Sequence, residues 1–224
     1  MPIYNAKLLE INSAEVLRYA GLHKVREFDK KILNEACEEA LLLIKIKGIW
    51  EIYNYDYENQ TILSELPFKI EGKSIGNHLK NCDKVICIAV TIGEDITNEV
   101  SAQFEKGNYF FSVLLDAAAT SAVEQAADAM EKYIEQQMSR DGYNMKWRFS
   151  PGYGDWSLNQ QPDLFRLSNA AEIGINLSET MMMIPRKSVT AVIGLIKKDK
   201  QGKKHKAVSD CQSCDKTDCS ARRI

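Results

Sequence analysis

Nowhere does the chain contain an apolar run approaching the ~20 residues that a helical membrane span requires. Its start, Met1-Pro2-Ile3-Tyr4-Asn5-Ala6-Lys7, also lacks the basic residues and apolar stretch of a secretion signal. Both absences point to a cytoplasmic protein with no membrane partner. An excess of one charge is missing too. The formal net charge is -2 and the pI is near 6.0, so no global field draws the chain to nucleic acid or an anionic surface, and no nucleic-acid partner is expected. Nor do the six cysteines look like a disulfide framework. Cys37, Cys82 and Cys87 sit singly within predicted helix and strand, as small core hydrophobes do, while Cys211, Cys214 and Cys219 crowd the end. That distribution belongs to a reduced, cytosolic chain.

What is present is enough to build a core. With 45% hydrophobic and 27% charged residues, the composition is that of an ordinary globular protein of one large or two small domains. Asn12-Ser13-Ala14-Glu15 reads as a helix start, and Gly21 ends that helix. Residues 29–45 place Ile32, Leu33, Ala36, Cys37, Ala40, Leu41 and Ile44 at three-and-four spacing, which predicts a second, amphipathic helix. The period then shortens. Ile49 to Tyr57, Ile62-Leu63 and Phe68-Lys69-Ile70 read as short antiparallel strands rich in aromatic and β-branched residues. A short helix over 74–81 precedes the nearly continuous apolar run 84–92, a central strand covered on both faces. Helices follow over 94–104 and 109–139, then one around 163–169, and a final core strand closes the domain near residue 196. Beyond it, Lys197, Lys198, Lys200, Lys203, Lys204 and Lys206 form a basic linker over 197–210, followed by a cysteine tail over 211–224.

Two stretches carry chemistry. The first is Arg148-Phe149-Ser150-Pro151-Gly152-Tyr153-Gly154-Asp155-Trp156. Arginine offers a planar fork of donors matched to a carboxylate or phosphate, and glycine lets backbone approach a ligand. Tyr153 and Trp156 have faces suited to an adenine or a sulfonium. The same residues also describe an ordinary Pro-Gly turn whose aromatics pin it to a core, and local chemistry leaves both readings open. The second stretch is the longest predicted helix, where small residues such as Ala117, Ala118, Ala119, Ala122, Ala126 and Ala127 permit close packing. Asp116, Thr120, Glu124 and Asp128 fall four apart on one polar stripe. A stripe of this kind is either a solvated helix face or a row of ligand-facing carboxylates.

Taken in order, Glu15-Val16-Leu17-Arg18-Tyr19-Ala20-Gly21, the alanine-rich helix with Glu124, Arg148-x-Ser-Pro-Gly-Tyr153, and Met182-x-x-Pro185-x-Lys187-Ser188-Val189 resemble the activation domain of vitamin B12-dependent methionine synthase. The chain is most similar to a free-standing version of that domain, over about residues 8 to 196. The resemblance implies a single α+β domain over residues 1–196, with a curved, mainly antiparallel sheet flanked by helices and a site for S-adenosylmethionine. It also implies a role in restoring an oxidised corrinoid. A flavodoxin- or ferredoxin-type donor supplies one electron, S-adenosylmethionine supplies the methyl group, and the cobalamin is carried by a partner, a corrinoid-binding methyltransferase. On matching positions, Arg148 would grip the ligand carboxylate, Ser150, Gly152 and Tyr153 would form the adjoining wall, and Glu124 would accept from the ligand ammonium on the opposite wall. No general acid or base is implied, because the protein's contribution is positioning.

The chain departs from the family pattern at several places. Ser150 stands where the domain of the full-length enzyme usually has alanine, and Gly154-Asp155-Trp156 replaces a Cys-Pro-containing continuation, which suggests adaptation to a corrinoid partner on another chain. No Asp-x-His-x-x-Gly corrinoid motif occurs, and there is no room for homocysteine and folate modules. Any methyltransferase activity is therefore expected only together with a separate corrinoid-binding subunit. Cys211-x2-Cys214-x4-Cys219 has spacing compatible with zinc or an iron-sulfur cluster, with His205, a cysteine of the body or a partner as fourth ligand. A redox-active thiol cluster, or a tail with incidental cysteines, is the alternative. For the whole chain the competing functions are a non-catalytic module that senses S-adenosylmethionine or recruits a partner, and an activator of another corrinoid methyltransferase.

Overall fold

Val85, Ile86, Cys87, Ile88, Ala89 and Val90 follow one another with no polar residue to turn toward water. A strand of that composition is stable only when both of its faces are covered. In the computed structural model, which describes residues 3–25 and 29–198, this run is β5 (Lys84–Thr91), and Val85 to Val90 are fully buried. The preceding elements are β1 (Ile3–Tyr4), α1 (Ser13–Tyr19), α2 (Lys30–Leu43), β2 (Lys47–Asp56), β3 (Thr61–Leu63), β4 (Phe68–Lys69) and α3 (Lys73–His78). After β5 come α4 (Asp95–Glu105), α5 (Tyr109–Arg140), β6 (Tyr143–Phe149), α6 (Gln161–Leu167), the small hairpin β7 (Asn176–Leu177) and β8 (Met183–Ile184), and β9 (Ser188–Lys197). The main sheet is antiparallel in the order β4-β3-β2-β5-β9-β6, with β1 paired to β2.

Helices cover both faces. On one side α1, α2, α4 and α5 pack against Trp50, Ile86, Ile88, Val90, Ala191, Ile193 and Leu195. On the other, α3 and α6 pack against Tyr55, Val85, Cys87, Val192 and Phe149. The result is the expected α+β architecture of a mainly antiparallel sheet flanked by helices. Alanines at 117, 118, 119, 122, 126 and 127 are buried and give α5 its close approach to its neighbours. Gly48 shows how close: a Cβ there would lie 2.5 Å from the sulfur of Met130. Asn12 caps α1 as expected, accepting from the backbone N–H groups of Ala14 and Glu15, and Gln125 of α5 ties this cap to the core by accepting from the Asn12 N–H.

One strand is absent from the sequence-based expectations. Residues 143–149, Tyr-Asn-Met-Lys-Trp-Arg-Phe, alternate apolar and polar residues and form β6 at the sheet edge. The register slips within it: Met145 is opposite Leu195 and Arg148 opposite Ile193, so three steps along β6 match two along β9. This is a β-bulge, an extra residue that reverses the facing of everything after it. Met145 packs on the α5 side. Lys146 and Trp147 both turn to the α3 side, where the Lys146 ammonium donates to the carbonyls of His78 and Lys80 at the end of α3. Arg148 then faces α5. Gly194 lies on the α3 side of β9, and a Cβ there would come within 2.6 Å of the Cys82 sulfur.

His78 sits inside this back face, its ring 4.3 Å from Trp147 and 5.4 Å from Phe149, with Nε2 donating to the Trp147 carbonyl at 2.9 Å. Burial lowers its pKa to about 4, Lys146 contributes in the same direction, and the Trp147 hydrogen bond opposes both. The unfolded chain takes up this proton near the ordinary histidine value of 6.5, while the folded chain resists until about 4. The stability His78 contributes is therefore complete above pH 6.5 and lost as pH falls toward 4, with a slope of at most about 1.4 kcal/mol per pH unit. Urea unfolding at pH 7 and pH 5 should show a smaller acid loss for His78→Gln than for wild type, and equal losses would remove His78 as the cause.

Candidate functional site

The bulge delivers Arg148 to the polar stripe of α5. Its Nη1 donates to Asp128 Oδ1 at 2.5 Å and Glu131 Oε2 at 2.7 Å, and its Nη2 donates to Glu124 Oε2 at 2.8 Å. Glu131 holds the same residue a second time, since its Oε1 accepts the Arg148 backbone N–H at 3.2 Å. Arg148 is only 13% exposed. Burial works against its charge, but Asp128, Glu131 and Glu124 outweigh burial and raise its pKa above the ordinary arginine value. Burial likewise raises the Glu131 carboxyl, against the pull of Arg148. Arginine has five N–H donors. Three are engaged with these carboxylates, which leaves donors on Nε and Nη2 for another acceptor.

Sequence reasoning places Arg148 and Glu124 on opposing walls of a ligand, whereas the structure joins them directly. It also leaves out Glu131. The signal for it is present, because Glu131 follows Glu124 by seven residues and Asp128 by three, on one helical face. Higher on the same stripe, Lys187 from the loop before β9 bonds Asp116 Oδ1 and Thr120 Oγ1, each at 2.8 Å. Beside Asp116 and Thr120, Tyr19 of α1, Val100 of α4 and residues of α5 that include Val113 and Ala117 line a cavity of about 330 Å³. Burial raises the Tyr19 pKa, and the charge of Glu124 adds to the rise. The guanidinium of Arg18 stacks on that ring at 4.0 Å. From Asp116 to Glu131 the stripe runs about 22 Å at 1.5 Å per residue.

The turn after β6 continues directly from Arg148. Tyr153 N–H donates to the Ser150 carbonyl at 3.1 Å, with Pro151 and Gly152 between them, and Gly152 has φ +91°. Proline second and a left-handed glycine third is the pattern of a type II turn. The turn presents Tyr153, half exposed, with its ring edge against Phe149. Of the expected site residues, Arg148 and Glu124 meet directly, while Ser150, Gly152 and Tyr153 follow in the turn, whose Tyr153 ring packs on Phe149 at the α3 side of the sheet.

Trp156 does not join them. Only 2% exposed, it packs beneath the turn and donates from Nε1 to Gln160 at 2.7 Å, so it supports the turn and offers no face to a ligand. Asp155 is also structural. Its two oxygens accept the N–H groups of Lys73 and Ser74, each at 2.8 Å, at the start of α3, where Gly72 has no side chain to supply a cap. The Ser74 and then the Lys73 backbone bonds hold the Asp155 carboxyl below the usual range. Cys37, Cys82 and Cys87 are free and buried, as small core residues are. Cys211, Cys214 and Cys219 lie outside the described residues. Among the described residues, no group of His, Cys, Asp and Glu is arranged to hold a metal ion, and no helix is long and apolar enough to cross a membrane.

Comparison with known proteins agrees with this architecture. Residues 75–213 match the family described as the vitamin B12 dependent methionine synthase activation domain. Among solved structures, the chain is similar to the MetH reactivation domain bound to AdoHcy, with a TM-score of 0.61 at 12% identity, over 89% of this chain and 80% of that one. At that identity the likeness is one of fold. No curated protein matches the chain.

Because Asp155 caps α3, Asp155→Ala should lower the melting temperature while leaving ligand affinity intact. Melting and calorimetry on the same preparation check both halves. Lost affinity at an unchanged melting temperature would make Asp155 a contact residue instead.

Proposed function

The chain belongs to the family of vitamin B12-dependent methionine synthase activation domains, and from that membership we propose that it binds S-adenosylmethionine beside Arg148 for the reductive methylation of a corrinoid carried by a separate protein. Cobalamin-dependent methionine synthase is the client this reading favours. The observation that carries it is the state of Arg148, which three carboxylates hold in place with donors remaining, directly before a turn that exposes Tyr153. A prearranged guanidinium donates to a ligand carboxylate without first being ordered, which favours binding. Glu124, on the same cluster, would accept from the ligand ammonium. The left-handed Gly152 keeps the turn narrow, and Tyr153 offers a ring face to the sulfonium or to the corrinoid. The relative's AdoHcy, the thioether left after methyl donation, supports the same class of ligand.

In the reaction the corrinoid substrate gains one electron from a flavodoxin- or ferredoxin-type donor and a methyl group from the sulfonium. The electron pair of the broken S–C bond stays on sulfur. The residues of this chain orient the donor, and none of them needs to move a proton. An exposed ring at the turn leaves the methyl group accessible to a partner.

Removing Arg148 outright would strand three carboxylates, so the informative variant is Arg148→Lys, which keeps the charge and loses the fork. Calorimetry should show S-adenosylmethionine bound roughly tenfold more weakly, in line with ~1.5–3 kcal/mol for a charge-assisted contact. Unchanged affinity would detach Arg148 from the ligand. Wild type mixed with S-adenosylmethionine, a reductant and the oxidised corrinoid protein should produce the methylcobalamin absorbance spectrum, and binding without that product would favour a sensing module.

Cys211, Cys214 and Cys219 extend the proposal. Their spacing suits an iron-sulfur cluster or zinc, and a cluster would relay the reducing electron. Anaerobically purified protein should then carry iron, sulfide and a visible charge-transfer band; a colourless, metal-free preparation with full activity would end the relay.

A further inference from the structure

Trp147 stands at the position where two registers of β6 part. Among the described strands β6 pairs only with β9, so its ladder can run regularly or with the bulge, and no second strand chooses between them. Lys146 faces α3 in either register. Trp147 does not. With the bulge it lies on the α3 side; in a regular ladder it would stand opposite Ile193 on the α5 side, in the place that Arg148 now fills. Arg148 would then turn to the α3 side, opposite Val192, onto a face that Cys87, Val192 and Leu164 make apolar and that is closed to water. A guanidinium without partners is costly there, and an indole is not.

The observed register gives the Trp147 ring an aromatic seat, 4.3 Å from His78 and 5.1 Å from Phe149, while the Trp147 carbonyl accepts from His78 at 2.9 Å. We infer that Trp147 is a positioning residue for ligand binding: seated against α3, its ring selects the bulged register and so aims Arg148, and the turn after it, at the ligand. Its effect on the ligand rests on the S-adenosylmethionine reading above, whereas the choice of register stands on the sheet geometry alone. Trp147 acts through Arg148 and needs no ligand contact of its own. Apparent affinity follows the fraction of chains in the competent register, so each tenfold loss of that fraction weakens binding about tenfold.

The test is a graded series on the full chain, read by calorimetry with S-adenosylmethionine and by amide hydrogen exchange without ligand. Trp147→Phe keeps an aromatic ring for the α3 seat and should bind within about twofold of wild type. Trp147→Ala removes the ring's preference and should bind about threefold or more weakly. Trp147→Lys, whose ammonium would meet Asp128 and Glu131 in the regular register, should bind about tenfold or more weakly. Ile62→Val trims the core on the same side of the sheet at β3, and should lower stability without moving affinity. In the bulged strand the Arg148 amide donates to Glu131, so exchange over residues 147–149 should rise in Trp147→Ala, rise further in Trp147→Lys, and stay low in Trp147→Phe and Ile62→Val. Exchange unmoved in both Trp147→Ala and Trp147→Lys would overturn the register role, and an equal affinity loss in Ile62→Val would reduce Trp147 to a stabilising residue. Raised exchange with affinity retained, or no binding by wild type, would instead overturn the S-adenosylmethionine reading at Arg148 and leave the register role standing.

Discussion

Glu131 grips Arg148 at two points, and the geometry of the site follows from that double hold. One carboxylate takes both the backbone N–H and the guanidinium of the same residue, so the position of the strand and the direction of the side chain are set together. The backbone bond fixes β6 at its bulge, where the regular ladder to β9 is interrupted. The side-chain bond, with those from Asp128 and Glu124, turns the guanidinium onto α5. On the opposite face Lys146 and Trp147 anchor the same bulge to α3. The bulge is thus held from both sides of the sheet.

That arrangement links core packing to ligand chemistry. Small residues let α5 lie close to its neighbours, and this closeness brings its carboxylates within hydrogen-bond range of a strand at the sheet edge. A bulkier helix face would hold the strand away. The turn after β6 then inherits its direction from the bulge, with Trp156 and Asp155 supporting it from below and Tyr153 left outside. Within Gly154-Asp155-Trp156, whose sequence suggests adaptation to a corrinoid partner, Asp155 supports α3 and Trp156 supports the turn.

Much of this is legible in the order of the residues. The unbroken apolar run of β5, the amphipathic period of α2, the Asn12 cap and the alanine content of α5 each express local physics that survives folding unchanged. The Ser-Pro-Gly-Tyr turn is legible as well, because proline and glycine constrain backbone wherever they occur. The strand β6 is harder to see, although its alternation is strict, because the aromatic and glycine-rich residues that follow it carry the pattern of a loop. Even a correct strand assignment would misplace the site, since alternation puts Trp147 with Met145 and leaves Arg148 on the face away from α5.

Element types, the two-sided burial of the sheet and the family motifs are all written in the linear chain, because they depend on periodicity and on residues acting within a few positions. Where Arg148 points, and what it meets, is a property of the assembled fold. One extra residue in an edge strand reverses every side chain after it, and nothing local to that strand specifies the slip. It is set by α5 on one face and α3 on the other, elements that lie apart along the chain and that folding brings together.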